Sequence, residues 1–311
     1  MRWDDLPQSD NVEDRRGDSG YGGGGGPGGG LPMGAGGLGI GGVVVLGLIG
    51  WALGIDPRLL IGGAEVLTGN QPHYQQPYQP PGQNTARRTG PPTDKMGRFV
   101  SAVLGSTEVQ WKDIFSKQGQ TYRAPRLVMF SRATRSACGA AQSAMGPFYC
   151  PRDREVYLDT AFFGDLERRF RGCSGKACEF AQAYVIAHEV GHHVQNLLGI
   201  LPKVQQAQRV AGSKVEANRM QVRVELQADC FAGVWAHHAE QKWKLLQPGD
   251  IEAALQTAAA IGDDMLQKRA QGYAVPDSFT HGSSEQRKRW FMTGFKEGTV
   301  KACNTFATAQ L

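Results

Sequence analysis

The stretch that most constrains the fold of this chain is AYVIAHEVGHHVQ, at residues 183–195. Between Tyr184 and Val194 the only acidic or basic residue apart from histidine is Glu189, and His188 and His192 stand four positions apart. In an α-helix this spacing rotates two side chains by only ~40° and separates them by ~6 Å along the axis, so both imidazoles can meet at one point. The segment predicts a helix buried in a core.

The pattern H-E-x-x-H also predicts a metal-dependent hydrolytic site. Zinc bound by three protein groups keeps a fourth position for water and lowers the pKa of that water toward ~7, while a neighbouring carboxylate can take its proton. We therefore assign His188 and His192 as zinc ligands and Glu189 as the general base. The alternative is a helix with ordinary core histidines, which would leave a buried Glu without a compensating metal.

A third ligand is predicted in the downstream segment VELQADCFAGVWAHH, where Glu225 and Asp229 are again four positions apart. We assign Glu225 to the metal and Asp229 to the free N–H of a ligand histidine, which it would hold in one tautomer and orientation. The reverse assignment stays open, because helical spacing does not show which carboxylate points at the ion. His193, His237 and His238 are rival ligands, although adjacent histidines face different directions.

These motifs resemble those of the bacterial neutral zinc metallopeptidase family, through HEVGHH, ELQAD, the upstream VYLDTAFF and the downstream SFTHGSSEQRKRWF. The resemblance covers nearly the whole chain. More distantly, E-x-x-x-D after H-E-x-x-H is similar to gluzincins such as thermolysin and the membrane-bound prenyl-protein endopeptidases. The resemblance implies a protein or peptide substrate and supports Glu225 as the ligand.

In such relatives a histidine or tyrosine outside the metal set stabilises the oxyanion, and His281 is the matching candidate. His281 could instead serve only as the entry to a helix that begins near Ser283. Arg287 could orient a carboxylate or the substrate, or be solvated. Tyr157 and its strand could pair with an extended substrate at a sheet edge, or lie in the core. His193 stands where many zincins have an apolar residue, which leaves a rearranged metal shell open.

Composition divides the 311-residue chain into four parts. Residues 1–30 combine a charged start with YGGGGGPGGG and predict a disordered tail. Residues 31–55 contain no charged side chain, and LGIGGVVVLGLIGWALGI would span roughly 27 Å as a helix, close to the ~30 Å core of a bilayer, which predicts a transmembrane helix. Residues 56–94 are rich in Pro and Gln and predict a linker. Residues 95–311 predict one folded zinc peptidase domain.

This domain is predicted to be mainly α-helical with a small antiparallel β-sheet, an α+β zincin-like architecture. The segments RLVMFSR and VYLD are strand-like, and AFFGDLERRF suggests a helix start. Long helices are expected at about 179–198 and 214–244, a third from Asp250 through IEAALQTAAAIGDDMLQKR, and a fourth after Ser283. An earlier helical stripe from Phe99 to Ile114 is expected to break near Gly105.

The six cysteines all lie in the folded part. Cys138 with Cys150, and Cys173 with Cys178, are short-range candidate pairs, which leaves Cys230 and Cys303 for a third. An even number of cysteines suits an oxidising compartment, and reduced, buried cysteines are the alternative.

The flanks of the apolar segment predict how it is oriented. Arg2, Arg15 and Arg16 precede it and only Arg58 follows closely, which favours an inside amino terminus. Together with the cysteines, this predicts a single-pass protein of the bacterial inner membrane whose catalytic domain lies in the periplasm.

The charge of the chain argues against nucleic acid as a partner. The net charge of +5 is mild and no basic run is interleaved with aromatic residues. The favoured interpretation is a membrane-anchored zinc endopeptidase. The alternative is a catalytically silent, zinc-stabilised binding or scaffold protein of the cell envelope, against which the retention of Glu189 argues, because a structural site needs no general base.

Overall fold

The computed structural model describes residues 1–17, 92–142, 146–168, 173–309 and 311. The predicted transmembrane helix at 31–55, and the predicted linker up to residue 91, lie outside these residues. Within the described ranges, no helix combines the length and the apolar character needed to cross a membrane.

Strands are short and gather at one side of the domain. In chain order they are β1 (Val12–Asp14), β2 (Arg126–Phe130), β3 (Ala133–Ser136), β4 (Gly139–Gln142), β5 (Phe148–Cys150) and β6 (Glu155–Asp159). One sheet has the order β1-β2-β6-β5, and β3 with β4 forms a separate antiparallel hairpin.

The four-stranded sheet is mixed, whereas the sequence predicted a small antiparallel sheet. β1–β2 and β2–β6 are parallel, and only β5–β6 is antiparallel. Strand-like sequences such as RLVMF and VYLD reveal strands but not their direction, which depends on the connections between them. β6 has neighbours on both sides, so Tyr157 lies inside the sheet and not at an edge that a substrate could join.

Helices form the rest of the described domain, which confirms the prediction of a mainly helical fold. They are α1 (Lys95–Lys117), α2 (Ala161–Arg168), α3 (Cys178–Leu197), α4 (Ile200–Arg209), α5 (Lys214–Trp243), α6 (Asp250–Ala260), α7 (Asp263–Gln271) and α8 (Ser284–Glu297). The third predicted helix is two helices, α6 and α7, separated at Gly262. A Cβ on Gly262 would come within 2.6 Å of the backbone nitrogen of Ser284, so the glycine lets the start of α8 pack against this break.

α5 and α8 pack through glycines. A Cβ on Gly233 of α5 would clash with the backbone of Phe291, and a Cβ on Gly294 of α8 would clash with the carbonyl of Cys230. The two helix backbones can therefore approach closely, which carries Arg287 of α8 toward the buried face of α5. All three predicted disulfides are present: Cys138–Cys150, Cys173–Cys178 and Cys230–Cys303.

The first 17 residues belong to the folded domain, so the prediction of a disordered tail is wrong for them. Met1, Trp3 and Leu6 are buried, and the Trp3 ring lies edge-on to Phe99 with centroids 5.5 Å apart. The backbone of Pro7 lies against Gly105, where any side chain would clash. α1 runs unbroken through Gly105, so the predicted break there is wrong, and the missing side chain lets the Pro7 backbone pack against the helix.

The two ends of the chain between residues 17 and 92 meet on this domain. The Arg16 guanidinium donates a hydrogen bond to the Asp94 carboxylate at 3.1 Å, and β1 pairs with β2. Residues on the two sides of this stretch therefore fold together in one domain.

Candidate metal centre

α3 and α5 bring together the three predicted metal ligands. Donor atoms of His188, His192 and Glu225 all lie within 4.8 Å of one another. The Glu225 Oε2 atom is 3.3 Å from Nε2 of His188 and 3.4 Å from Nε2 of His192. Two imidazole nitrogens and one carboxylate oxygen that converge in this way suit zinc with an open fourth position.

The Nδ1 atom of each imidazole contacts a side-chain oxygen on the side away from Glu225. His188 Nδ1 is 2.8 Å from Asp229 Oδ1, and His192 Nδ1 is 2.9 Å from Gln195 Oε1. Gln195 is itself fixed, because its amide nitrogen donates to the Val224 carbonyl at 2.7 Å. These contacts direct both Nε2 atoms toward Glu225, as outer partners of metal-binding histidines commonly do.

Asp229 lies behind the centre in a buried ion pair. It is 0% exposed, and Arg287, which is 3% exposed, donates from Nε to Oδ2 at 2.8 Å and from Nη2 to Oδ1 at 2.9 Å. The Tyr184 hydroxyl donates to Oδ1 at 2.5 Å. Burial raises the pKa of Asp229, but the charges of Arg287 and His188 outweigh it and hold the pKa well below its usual range.

Glu225 and Asp229 face different nitrogen atoms of the two histidines. Glu225 faces both Nε2 atoms. Asp229 contacts the Nδ1 atom of His188, and its second oxygen accepts a hydrogen bond from Arg287. Arg287 is buried and not solvated. It donates two hydrogen bonds to the Asp229 carboxylate, which fits the orienting role considered for it. Tyr184 and Gln195 were missed, because neither belongs to a motif that spacing reveals.

Glu189 lies beside the centre with only 7% of its surface exposed. Burial raises the pKa of its carboxyl group, against the opposing charges of His188 and His192. A carboxylate with a raised pKa accepts a proton more readily near neutral pH, as a general base requires.

The rival histidines point elsewhere. His193 is buried, with Nδ1 3.0 Å from the Tyr149 hydroxyl and Nε2 2.6 Å from the Arg123 carbonyl oxygen, and burial lowers its pKa to about 4. His237 and His238 bind backbone carbonyls at the end of α8. His193 thus ties α3 to its neighbours, which explains its place next to the second ligand.

His281 lies in a turn that Asp263 organises. The Asp263 carboxylate accepts backbone N–H groups from Thr280, His281 and Gly282 at 2.7, 2.6 and 3.1 Å, and its other oxygen lies 3.3 Å from His281 Nδ1. The charge of His281 lowers the pKa of both Glu189 and Glu225. His281 is therefore close enough to interact electrostatically with the centre. No motif in the sequence connects Asp263 with His281.

The pKa of His281 is expected to depend on Asp263. Burial lowers this pKa, but the hydrogen bond and charge of Asp263 outweigh burial and raise it above ~6.5. The resulting stabilisation is complete below the unfolded pKa and is lost as pH rises through the folded pKa. Asp263→Asn should lower the pKa of His281, measured by NMR titration with Asp264→Asn as control. An unchanged pKa in Asp263→Asn would contradict this assignment.

Comparison with known proteins identifies the family. A family model described as "Putative neutral zinc metallopeptidase" matches residues 1–306. The chain belongs to this family. The match includes residues 1–17, in agreement with their packing in the domain.

Two relatives match most of the chain. The chain is 50% identical over 306 residues to "Uncharacterized protein YpfJ" of Escherichia coli K12, which covers 98% of this chain and 99% of the relative. It is 40% identical over 271 residues to "Uncharacterized protein Rv2575" of Mycobacterium tuberculosis H37Rv, with 83% and 85% covered. No solved structure matches the chain. Family membership supports a zinc-dependent hydrolase that acts on protein or peptide substrates.

Proposed function

We propose that this protein is a zinc-dependent endopeptidase, with His188, His192 and Glu225 as metal ligands and Glu189 as the general base. The observation that carries the proposal is the convergence of these three donors within 4.8 Å beside a buried glutamate. Family membership agrees with this chemistry.

When bound, zinc would supply an activated water and polarise the peptide carbonyl. Glu189 would accept the proton of the attacking water and pass it to the leaving amine. Asp229 and Gln195 would hold the imidazoles in position, and Arg287 would keep Asp229 ionised. His281 would donate a hydrogen bond to the developing oxyanion, an interaction worth ~2.7 to 4 kcal/mol in comparable sites.

The proposal is tested with purified, zinc-loaded protein and an unfolded protein substrate. Cleavage should stop when a chelator removes the metal and should return when stoichiometric zinc is restored. The second candidate is the silent scaffold, which would bind zinc for stability alone. In that case chelation would lower the unfolding temperature while no cleavage occurs at any zinc content, and the endopeptidase proposal would be rejected.

We also propose that the whole described domain lies in the periplasm and is held at the inner membrane by residues 31–55. The three disulfides support an oxidising compartment. The uncharged composition of residues 31–55 supports membrane association. Because both ends of the intervening chain meet on the domain, residues 1–17 should share the compartment of residues 92–311.

The compartment is tested with single exposed cysteines, introduced as Asp10→Cys and Lys112→Cys. A membrane-impermeant maleimide added to intact spheroplasts should label both positions equally, and the protein should sediment with membranes. Labelling at Lys112→Cys alone would place residues 1–17 across the membrane from the domain, as the single-pass prediction has it, and would contradict the paired strands β1 and β2.

A further inference from the structure

A cavity of about 330 Å³ lies between the first half of α5 and the segment that leads into α8. α5 contributes Asn218 and Val222 to its lining, and Phe279 and Ser283 contribute from the other side. Ligand pockets commonly measure ~300–1,000 Å³, so this cavity suits one bulky side chain better than a large ligand.

Both walls of the cavity contain residues that stand close in the chain to Glu225 or His281. Asn218, Val222 and Glu225 are spaced by four and then three positions, so they follow one face of α5, with Val222 only ~4.5 Å from Glu225 along the axis. On the other wall, Phe279 and Ser283 each stand two positions from His281. A peptide whose cleaved bond lies between Glu189 and His281 would therefore carry a neighbouring side chain past this cavity.

The walls offer mainly apolar surface. Val222, Pro276 and Phe279 present hydrocarbon side chains. The polar lining groups already have partners. The Ser283 and Gln286 side chains each accept the backbone N–H of the other, at 3.2 and 2.8 Å. Arg219 pairs with Asp277 at 3.3 Å, and the Asn218 amide donates to the Asp277 carbonyl at 3.0 Å. An entering apolar side chain would thus leave these polar groups with their partners.

The same segment carries exposed apolar side chains next to the cavity. Among the residues that the structure describes, four large hydrophobic side chains are clearly exposed. Two of them, Tyr273 at 63% and Val275 at 39%, stand three positions and one position before Pro276. Exposed apolar residues that gather beside a cleft are typical of a binding surface.

We propose that this cavity is a substrate subsite that accepts a bulky aliphatic or aromatic side chain next to the cleaved bond. The proposal rests on the proposed peptidase function, since the occupant is part of the peptide being cleaved. Its apolar walls, its size and the closeness of its lining residues in the chain to Glu225 and His281 together define the class of side chain.

The first test maps cleavage sites in a peptide library with zinc-loaded protein. A bulky apolar residue should be enriched at one fixed position beside the cleaved bond. Asn218→Trp, which would fill the cavity from α5, should reduce that enrichment at least about tenfold while peptides with Gly or Ala there are still cleaved. Gln241→Trp, an exposed amide position far along the same helix, is the matched control and should keep the preference. An unchanged preference in Asn218→Trp would overturn the proposal.

A second measurement does not depend on hydrolysis. N-acetyl-leucinamide and N-acetyl-phenylalaninamide, added to full-length protein with methyl-labelled valine, should shift the Val222 methyl signals, and Asn218→Trp should abolish these shifts. This result would support the subsite even if wild-type protein cleaved nothing, in which case only the proposed function would fail. If neither probe shifts Val222 in wild-type protein, the subsite is rejected.

Discussion

Replacing Glu189 by Gln is expected to reduce peptide hydrolysis by about 10²- to 10⁴-fold, the usual contribution of a general base. Glutamine has nearly the same shape as glutamate but does not accept the proton of the attacking water. The metal should stay bound, because Glu189 is not among the three converging donors. Hydrolysis rate and zinc content are measured on the same preparation.

Glu179→Gln is the matched control for this prediction. Glu179 lies in the first turn of the same helix, α3, and pairs with Lys95 at the surface. The control should retain both activity and zinc. Undiminished hydrolysis in Glu189→Gln would reject the assigned mechanism, and loss of zinc would show that Glu189 acts as a ligand instead.

Arg287→Met is expected to lower the free energy of unfolding by ~3–5 kcal/mol, because it leaves the buried carboxylate of Asp229 without its cationic partner. The fully buried Asp229 receives two hydrogen bonds from Arg287 and also holds His188. Zinc affinity should also fall, by about 10- to 100-fold, as it does when an outer partner of a ligand is lost. Chemical denaturation and zinc titration measure the two effects.

Two comparisons make this prediction specific. Lys288→Met changes the next residue of α8, which is exposed, and should alter stability by no more than ~0.5 kcal/mol. The double variant Asp229→Asn with Arg287→Met should lose less than the sum of its single changes, because the two side chains interact directly. A loss in Arg287→Met no larger than in the control would show that this ion pair contributes little.

The helix that carries the site was predictable because its chemistry follows its spacing. His188 and His192 share a face through their separation of four residues, and the near absence of charge around them indicated burial. The same rule placed Glu225 and Asp229 on one face but did not rank them. Their ranking depends on Arg287, which approaches from another helix through glycine contacts that no local pattern encodes.

Other features were hidden because they depend on distant contacts. Asp263 binds a turn eighteen residues away in sequence, so no motif connects it with His281. The sequence predicts disorder for the first 17 residues because the nearby glycines dominate the composition of residues 1–30. Their fold depends on three apolar side chains, Met1, Trp3 and Leu6, that enter a core built from later parts of the chain.

The central claim of this account is a zinc ion held by His188, His192 and Glu225. Its most direct test is a crystal structure of the zinc-loaded protein with anomalous data collected at the zinc edge. We expect one peak bound by Nε2 of both histidines and by Glu225, with Asp229 still on Nδ1 of His188. A peak bound by Asp229 or His193 in place of Glu225, or no peak at this position in protein that contains zinc, would contradict it.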